Sequence, residues 1–238
     1  MDYPIGDMSI ILLTKVTEQL PASTIIVPFY RGEPTLHPQF PEAMQTLSKF
    51  DTVQLATNGD YLTVDNKKAI LDNCTFLSLS LHEFLMPSQT RWTGFLYDCL
   101  GADVETQVSI IDSRVDELRR CEFIRKWSMH ADRVRIYETH SKNGFGSMGK
   151  PSNVKCAKLF EEMVVYWDGR VGLCNHDWNN LYPLGDLNKQ SISEVWNSVD
   201  YCMLRELHKG GFRRHISTCE FCSFESNKIY GELIRNGK

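Results

Sequence analysis

Apolar and polar positions alternate along the first two thirds of the chain in a way that predicts helices and strands in turn. Residues 7–21 place apolar side chains at helical spacing, and Pro21 ends the pattern. Short β-branched and aromatic runs predict strands at 23–30, 52–56, 75–81, 106–112 and 133–139, and helical spacing recurs at 41–50, 66–73 and 113–130. Because helices and strands alternate, the pattern favours a parallel α/β sheet or barrel.

The pattern changes near residue 150. Gly, Ser and Asn dominate residues 141–153, which predicts a linker or a long loop. Residues 163–174 then predict a hairpin that turns at Asp168 and Gly169, and 191–211 predict a helix that begins with a capping box. The sequence therefore predicts two domains, 1–150 and 151–238.

Composition places the chain among ordinary globular proteins. Of its 238 residues, 42% are hydrophobic and 24% are charged, which allows a sizeable core. The net charge of −4 gives no electrostatic basis for binding nucleic acid or an anionic membrane. The N-terminal residues lack the basic segment of a signal peptide, and no apolar run reaches the roughly 18 residues of a membrane span. We therefore expect a soluble cytoplasmic protein.

Eight cysteines in such a chain require an explanation. Cytosolic thiols are kept reduced, so metal binding or catalysis is favoured over disulfides. Four cysteines stand alone in the sequence and are interpreted as small buried hydrophobes: Cys74, Cys99, Cys121 and Cys202. The other four lie in the last third of the chain and are the candidate metal ligands: Cys156, Cys174, Cys219 and Cys222.

The candidate ligands can converge from three segments of the chain. The predicted hairpin folds Cys174 back toward Cys156, and the following helix can return the chain to present Cys219 and Cys222. Zinc ribbons usually build both halves of a site from tight pairs, whereas only one half is tight here, which favours a [4Fe–4S] cluster somewhat. From spacing alone, a structural zinc site stays open, and so does a thiol pair that binds no metal.

The cysteine pattern resembles a known family. Cys156, Gly169 and Cys174, followed by the "CEFC" of 219–222, resemble the C-terminal auxiliary-cluster domain (SPASM/twitch type) of radical SAM enzymes, and residues 181–198 are similar to the stretch between its cysteine pairs. No cysteine follows Cys222, which is typical of the shorter twitch form. The resemblance implies one auxiliary [4Fe–4S] cluster held by the four candidate cysteines.

The N-terminal part resembles the same family. "FYRGEPTLHPQF" resembles the GGEP motif that binds the methionine amino group of S-adenosylmethionine (SAM), which implies cofactor contacts by Gly32, Glu33 and Pro34. "LATNGDYL" resembles the end of the third barrel strand, which implies that Thr57 and Asn58 line the cofactor. The resemblance therefore implies SAM as a cofactor.

Other strand residues are weaker candidates. The first glycine of the family motif is Arg31 here, so its side chain is expected to point out of the pocket. Ser78 and Ser80 alternate with leucines, and their hydroxyls either meet the cofactor ribose or pack as small polar residues. Four residues lie at later strand ends, where an α/β barrel places its chemistry: Asp112, Arg114, Tyr137 and Glu138.

One departure from the family pattern concerns the SAM-binding cluster. The family's Cys-x3-Cys-x2-Cys follows the first barrel strand, but this sequence has no cysteine before Cys74. We therefore expect the fold to be a partial (β/α)6 barrel lacking its first strand, plus a small twitch-type cluster domain. A second [4Fe–4S] cluster is expected only if an upstream cysteine triad exists, and the chain alone is expected to be inactive.

The implied function is a radical SAM oxidoreductase or maturase. A 5′-deoxyadenosyl radical would abstract hydrogen from the substrate, and the auxiliary cluster would accept an electron. A small molecule is favoured over a peptide as the substrate, because no leader-binding domain is visible, and flavodoxin or ferredoxin would supply electrons. The alternative hypothesis is a non-catalytic iron–sulfur or zinc protein that uses the same scaffold.

Overall fold

The computed structural model describes residues 4–81, 90–111, 116–137, 156–177, 179–220, 222 and 232–235. The weaker candidates Asp112, Arg114 and Glu138 lie outside these ranges, and so does the predicted linker 141–153. Every candidate cofactor and metal ligand lies within them. The fold is therefore described around the candidate sites themselves.

Five parallel strands follow one another in sequence order and form one sheet. They are β1 (Ile25–Ile26), β2 (Thr52–Thr57), β3 (Phe76–Ser80), β4 (Glu105–Ile111) and β5 (Arg133–Tyr137). The helices between them are α2 (Phe40–Thr46), α3 (Val64–Asn73), α4 (Thr90–Gly101) and α5 (Glu117–Trp127). The predicted α/β class, a partial (β/α)6 barrel with a smaller second domain, is confirmed.

Some elements differ from the sequence prediction. The strand predicted at 23–30 is reduced to β1, because Pro28 has no N–H for the ladder and the Phe29 N–H donates back to the Val27 carbonyl at 2.8 Å. α4 is absent from the predicted elements, and so is β9 (Glu232–Arg235), which pairs antiparallel with β5. No helix of the described residues combines the length and apolar character needed to cross a membrane.

The two faces of the parallel sheet differ in polarity. Leu79, Val108 and Val134 occupy one face, where they pair in register across three strands and are 0% exposed. Because side chains alternate along a strand, the neighbouring residues point to the opposite face. There Ser78 pairs in register with Gln107, so that this face carries hydroxyl and amide groups. The apolar face forms the core, and the polar face is available for chemistry.

The chain forms two compact units, each of which contains a terminal segment. The sheet unit comprises Leu20–Thr139 with Ile229–Lys238, and the cysteine unit comprises Met1–Gln19 with His140–Lys228. The cysteine unit includes α1 (Ile10–Thr17), because the buried residues Leu12 and Val16 belong to the core around Val171 and Tyr201. The domain boundary near residue 150 stays a prediction, and the compact units place the N-terminal helix with the cysteines.

Short elements build the rest of the cysteine unit. They are α6 (Lys158–Glu161), β6 (Val164–Val165), β7 (Arg170–Gly172), β8 (Gly185–Asp186), α7 (Ile192–Trp196), α8 (Val199–Lys209) and α9 (Ser217–Glu220). β6, β7 and β8 form an antiparallel sheet, and the predicted capping box of Ser191 and Glu194 begins α7. The helix predicted at 191–211 is two helices, because the Ser198 side chain accepts the Tyr201 N–H at 3.3 Å and starts α8.

Leu12→Ala should destabilise the cysteine unit, because Leu12 is 7% exposed and packs in its core. Truncating a buried leucine lowers the free energy of unfolding by about 2–5 kcal/mol. The adjacent Ile11 is 84% exposed, so Ile11→Ala should change that free energy by about 0.5 kcal/mol or less. Urea unfolding followed by circular dichroism measures both variants. Equal losses would show that α1 does not pack in this core.

Candidate metal centre and cofactor site

Three segments of the cysteine unit carry the four candidate ligands. Cys156 lies two residues before α6, and Cys174 lies two residues after β7. Cys219 lies within α9, and Cys222 follows that helix. The antiparallel sheet and α8 separate these segments in sequence, so only the folded chain can bring the four side chains together.

The turn between β6 and β7 places Cys174 by reversing the chain. The Tyr166 N–H donates to the Arg170 carbonyl at 2.8 Å, and the Gly169 N–H donates to the Tyr166 carbonyl at 2.9 Å. Gly169 has a φ of +88°, which only glycine adopts readily. A Cβ atom at this position would lie 2.5 Å from Asn188 Nδ2. The turn therefore requires glycine for both conformation and space.

All four cysteine side chains line one cavity. The space between the lining atoms amounts to about 370 Å³, part of which is open to solvent. In the described part of the chain, no group of three or more His, Cys, Asp or Glu side chains could hold a metal ion by itself. The four predicted ligands thus surround one cavity, but they do not converge on a point that a single metal ion could occupy.

Burial keeps thiols of this cavity protonated in the metal-free protein. Burial, with a smaller contribution from the neighbouring Cys222, raises the pKa of Cys174 to about 12. Burial also raises the pKa of Cys156 and of Cys219, with other cysteines of the cavity adding to both shifts. Metals bind thiolates, so loading this site must release protons. Buried, protonated thiols are poor nucleophiles, so the environment of the cavity disfavours a reactive thiol pair.

Two nitrogen-bearing side chains lie beside these thiols. Arg213 is 3% exposed and lines the cavity, and its charge lowers the pKa of Cys156 and Cys219 against the larger effect of burial. His208 also lines the cavity, and burial, followed by the charge of Arg213, lowers its pKa to about 4. Four thiolates beside a buried guanidinium suit an iron–sulfur cluster, whose thiolate ligands make the whole group anionic.

A buried carboxylate joins two of the cysteine segments. Asp177 is 1% exposed and accepts two backbone N–H bonds from the loop that follows it, at 3.0 and 3.1 Å. The Thr218 hydroxyl donates to the same carboxylate at 3.5 Å. Asp177 lies three residues after Cys174, and Thr218 precedes Cys219. The carboxylate therefore links these two cysteine segments through a hydrogen bond.

In the sheet unit, the carboxylate of Glu33 accepts four hydrogen bonds. Oε1 accepts from the N–H and the hydroxyl of Thr35, at 3.0 and 2.6 Å, and from the hydroxyl of Thr57 at 2.5 Å. Oε2 accepts from the Asn58 N–H at 2.7 Å. Thr57 lies on the apolar face of β2, in register with Leu79, and its hydroxyl turns to the carboxylate. Three predicted site residues therefore meet in one hydrogen-bond network.

The neighbours of Glu33 shape the backbone of the same motif. Gly32 has a φ of +82°, and a Cβ built there would meet no described atom within 4 Å, so its backbone is open to close approach. Pro34 begins the short 3-10 helix Pro34–Leu36. The guanidinium carbon of Arg31 lies 5.0 Å from the centroid of the Tyr30 ring. Its orientation away from a cofactor pocket stays a prediction.

Hydrogen bonds connect the polar side chains on the other face of the sheet. Gln107 Nε2 donates to the Ser78 hydroxyl at 3.0 Å and lies 3.4 Å from the Tyr137 hydroxyl. The hydroxyl oxygens of Ser80 and Ser109 lie 3.3 Å apart. The two serines of β3 and the tyrosine are candidates predicted from the sequence, whereas Gln107 and Ser109 are not. The register between β3 and β4 is what places them beside the serines.

Two polar residues of the cysteine cavity, His208 and Arg213, are not among the candidates predicted from the sequence. His208 lies at helical spacing from Tyr201 and Leu204, and all three are buried in α8. This spacing is the signal that identifies His208 as an inward-facing residue. Arg213 lies in a short 3-10 helix, Arg213–His215, and no pattern in the sequence indicates its burial.

The comparison with protein families concerns the cysteine unit. Residues 156–223 match the SPASM family, which is described as an iron–sulfur cluster-binding domain. The match begins at Cys156 and also contains Cys174, Cys219 and Cys222. All four thiols that line the cavity therefore belong to the matched region.

Other comparisons span most of the chain at low identity. The chain is 23% identical over 171 residues to the S-adenosyl-L-methionine-dependent 2-deoxy-scyllo-inosamine dehydrogenase of Niallia circulans, a match that covers 70% of this chain and 58% of that protein. It is similar to BtrN in complex with AdoMet and 2-DOIA, with 18% identity, 97% and 87% of the two chains covered and a TM-score of 0.65. It is also similar to anSMEcpe with bound AdoMet and Kp18Cys peptide, with 14% identity, 95% and 85% covered and a TM-score of 0.62.

The three kinds of comparison agree with the geometry. The chain spans less than two thirds of the length of the curated dehydrogenase that it matches. The likeness to solved structures shows a shared fold, and the family match covers the four cysteines of the cavity. The resemblance predicted from the sequence is thereby confirmed: residues 156–223 match the SPASM family, and the chain is similar to radical SAM enzymes that carry a C-terminal SPASM or twitch domain.

Proposed function

We propose that this protein functions as a radical SAM oxidoreductase or maturase whose cysteine unit binds one auxiliary [4Fe–4S] cluster. The observation that carries the proposal is the convergence of Cys156, Cys174, Cys219 and Cys222 on one cavity. When bound, SAM would supply a 5′-deoxyadenosyl radical that removes hydrogen from the substrate, and the cluster would supply a site for an electron.

The cysteine cavity supports electron acceptance better than substrate coordination. Four thiolates occupy one position on each iron of a cubane, so no iron remains open to a substrate. Leu159 and Leu173, which are 2% and 1% exposed, line the same cavity and would keep water away from the cluster. A closed, partly desolvated site of this kind suits the transfer of electrons.

We place SAM at the strand ends of the sheet unit, at Gly32, Glu33, Pro34, Thr57, Asn58, Ser78 and Ser80. The carboxylate of Glu33 already accepts four hydrogen bonds from the chain, so most of its lone pairs are used. Its role in the proposal is to hold the loop after β1 against the end of β2 and keep the backbone of Gly32 accessible to the cofactor's amino group. The similar structures of BtrN and anSMEcpe both hold AdoMet.

We further propose a small hydroxylated molecule as the substrate and a reducing protein, such as flavodoxin or ferredoxin, as the electron donor. The curated relative is named as a dehydrogenase of 2-deoxy-scyllo-inosamine, and the similar BtrN structure holds 2-DOIA. On the polar face of the sheet, Gln107 and Tyr137 offer an amide and a hydroxyl group that suit such a molecule. The anSMEcpe structure holds a peptide, so a peptide is the competing substrate class.

Cys174→Ala should abolish cluster binding, because it removes one of the four ligands. Anaerobically purified protein should contain about four irons per chain, and the variant should lose both the iron and the brown colour. Cys202, like Cys121, is exposed and not buried, so the prediction of a buried residue is wrong for both. Cys202 does not line the cavity, so Cys202→Ala should keep the iron. Metal analysis and absorption spectra measure both variants. Equal loss from the two would contradict ligation by Cys174, and zinc in place of iron would favour the non-catalytic alternative.

Glu33→Gln should weaken SAM binding, because one amide oxygen cannot replace the two carboxylate oxygens that accept from Thr35, Thr57 and Asn58. Without these bonds the backbone around Gly32 is less well ordered for the cofactor, so the dissociation constant should rise about tenfold, which corresponds to about 1.4 kcal/mol of binding free energy. Calorimetry measures this constant. Glu42→Gln is the matched control, since the exposed carboxylate of Glu42 accepts a hydrogen bond from Gln39, the residue before α2. Measurable and equal affinities in Glu33→Gln and the parent would remove Glu33 from the site.

The 238-residue polypeptide should not cleave SAM, because its first cysteine is Cys74 and cleavage needs an iron bonded to the cofactor. Given SAM and dithionite under anaerobic conditions, it should form no 5′-deoxyadenosine, as measured by chromatography. The same polypeptide extended by a segment with Cys-x3-Cys-x2-Cys should bind about eight irons and form the product. Product from the 238 residues alone would contradict the assignment of the four cysteines to a closed cluster.

A further inference from the structure

His208 is buried in the last turn of α8 beside the cysteine cavity. Its side chain is 5% exposed, and both ring nitrogens are shielded from water. Neither nitrogen has a hydrogen-bond partner among the residues that the structure describes. The ring lines the same cavity as the four cysteines. The polar edge of this histidine is therefore buried at the proposed cluster site.

A buried imidazole needs an acceptor for its N–H. The ring carries at least one N–H in every physiological state, and a buried unpaired donor costs its free energy of hydration. Among the other residues of the lining, Leu159 and Leu173 cannot accept a hydrogen bond, and the side chains of Lys158 and Arg213 only donate. His176 and Thr218 carry acceptor atoms, but neither is hydrogen-bonded to His208 in the structure. An iron–sulfur cluster would bring several sulfur acceptors into the cavity. The orphaned histidine thus fits the same group that the thiols fit.

We propose that His208 donates a hydrogen bond to a sulfur atom of the auxiliary cluster and thereby raises its reduction potential. This inference rests on the proposed cluster of the four cysteines. An N–H···S bond stabilises the reduced form more than the oxidised form, because reduction adds negative charge to the cluster. The buried charge of Arg213, in the same lining, acts in the same direction. His208 is then a positioning residue that adapts the cluster to accept an electron.

Redox titration of the loaded 238-residue protein, followed by electron paramagnetic resonance, tests this role. His208→Phe removes the N–H and should lower the reduction potential by about 59 mV, which is a tenfold change in a one-electron equilibrium. His208→Gln keeps an N–H donor and should lie closer to the parent. His215 is exposed and does not line the cavity, so His215→Phe should leave the potential unchanged.

A second measurement detects the hydrogen-bonded histidine directly in the parent protein and uses two variants to assign the signal. With ¹⁵N in the imidazole rings of histidine, pulsed electron paramagnetic resonance of the reduced cluster should detect a weak nitrogen coupling. His176 also lines the cavity and provides the matched variant. The coupling should persist in His176→Gln and disappear in His208→Gln, which assigns it to one ring.

The outcomes separate this inference from the proposed function. A loaded cluster without any imidazole coupling would overturn the inference, and so would equal potentials in His208→Phe and the parent. A coupling as strong as that of a nitrogen bound to iron would also overturn it, since His208 would then be a ligand. Absence of iron from the parent would overturn the proposed cluster itself and the inference with it.

Discussion

The charge balance of one buried cavity is the constraint on which the cysteine unit depends. Four thiols line it, burial and mutual proximity raise the pKa of at least three of them, and Arg213 lies in the same lining. Thiolates so close together need positive charge to remain ionised, and metal ions provide it. The turn at Gly169 and the hydrogen bonds of Asp177 bring the cysteine segments to this cavity, so these local structures place the four thiols close together.

The sheet unit depends on a different interaction. The Glu33 carboxylate connects the loop after β1 to the end of β2 through Thr57 and Asn58, at the carboxyl edge of the parallel strands. This is the edge at which α/β folds place their ligands. The accessible backbone of Gly32 lies next to the hydrogen-bonded carboxylate of Glu33, so this loop is held in place and open to a ligand. The proposed cofactor site therefore gains its order from the chain's own hydrogen bonds before any ligand binds.

Local sequence signals predicted the parts of this structure that local interactions determine. The alternation of helical and strand periodicities predicted the α/β class, and a tight cysteine pair with two further cysteines predicted the four thiols that line one cavity. What the sequence could not supply was contact between distant segments. Arg213 is buried only because the chain folds around the cavity. Gln107 contacts Ser78 only because of the register between β3 and β4. The apolar residues of α1 predict a buried face, but they do not indicate that this face packs in the core of the cysteine unit. Ser198 shows the opposite case, a local cap that was visible in the sequence and overlooked.

X-ray diffraction at the iron absorption edge, from crystals grown under anaerobic conditions, tests the metal centre most directly. We expect one anomalous density feature that contains four irons and is bounded by the sulfur atoms of Cys156, Cys174, Cys219 and Cys222. A single-atom feature at the zinc edge among the same residues would contradict the claim that this cavity holds an electron-accepting cluster. An iron feature located away from these four cysteines would contradict it equally.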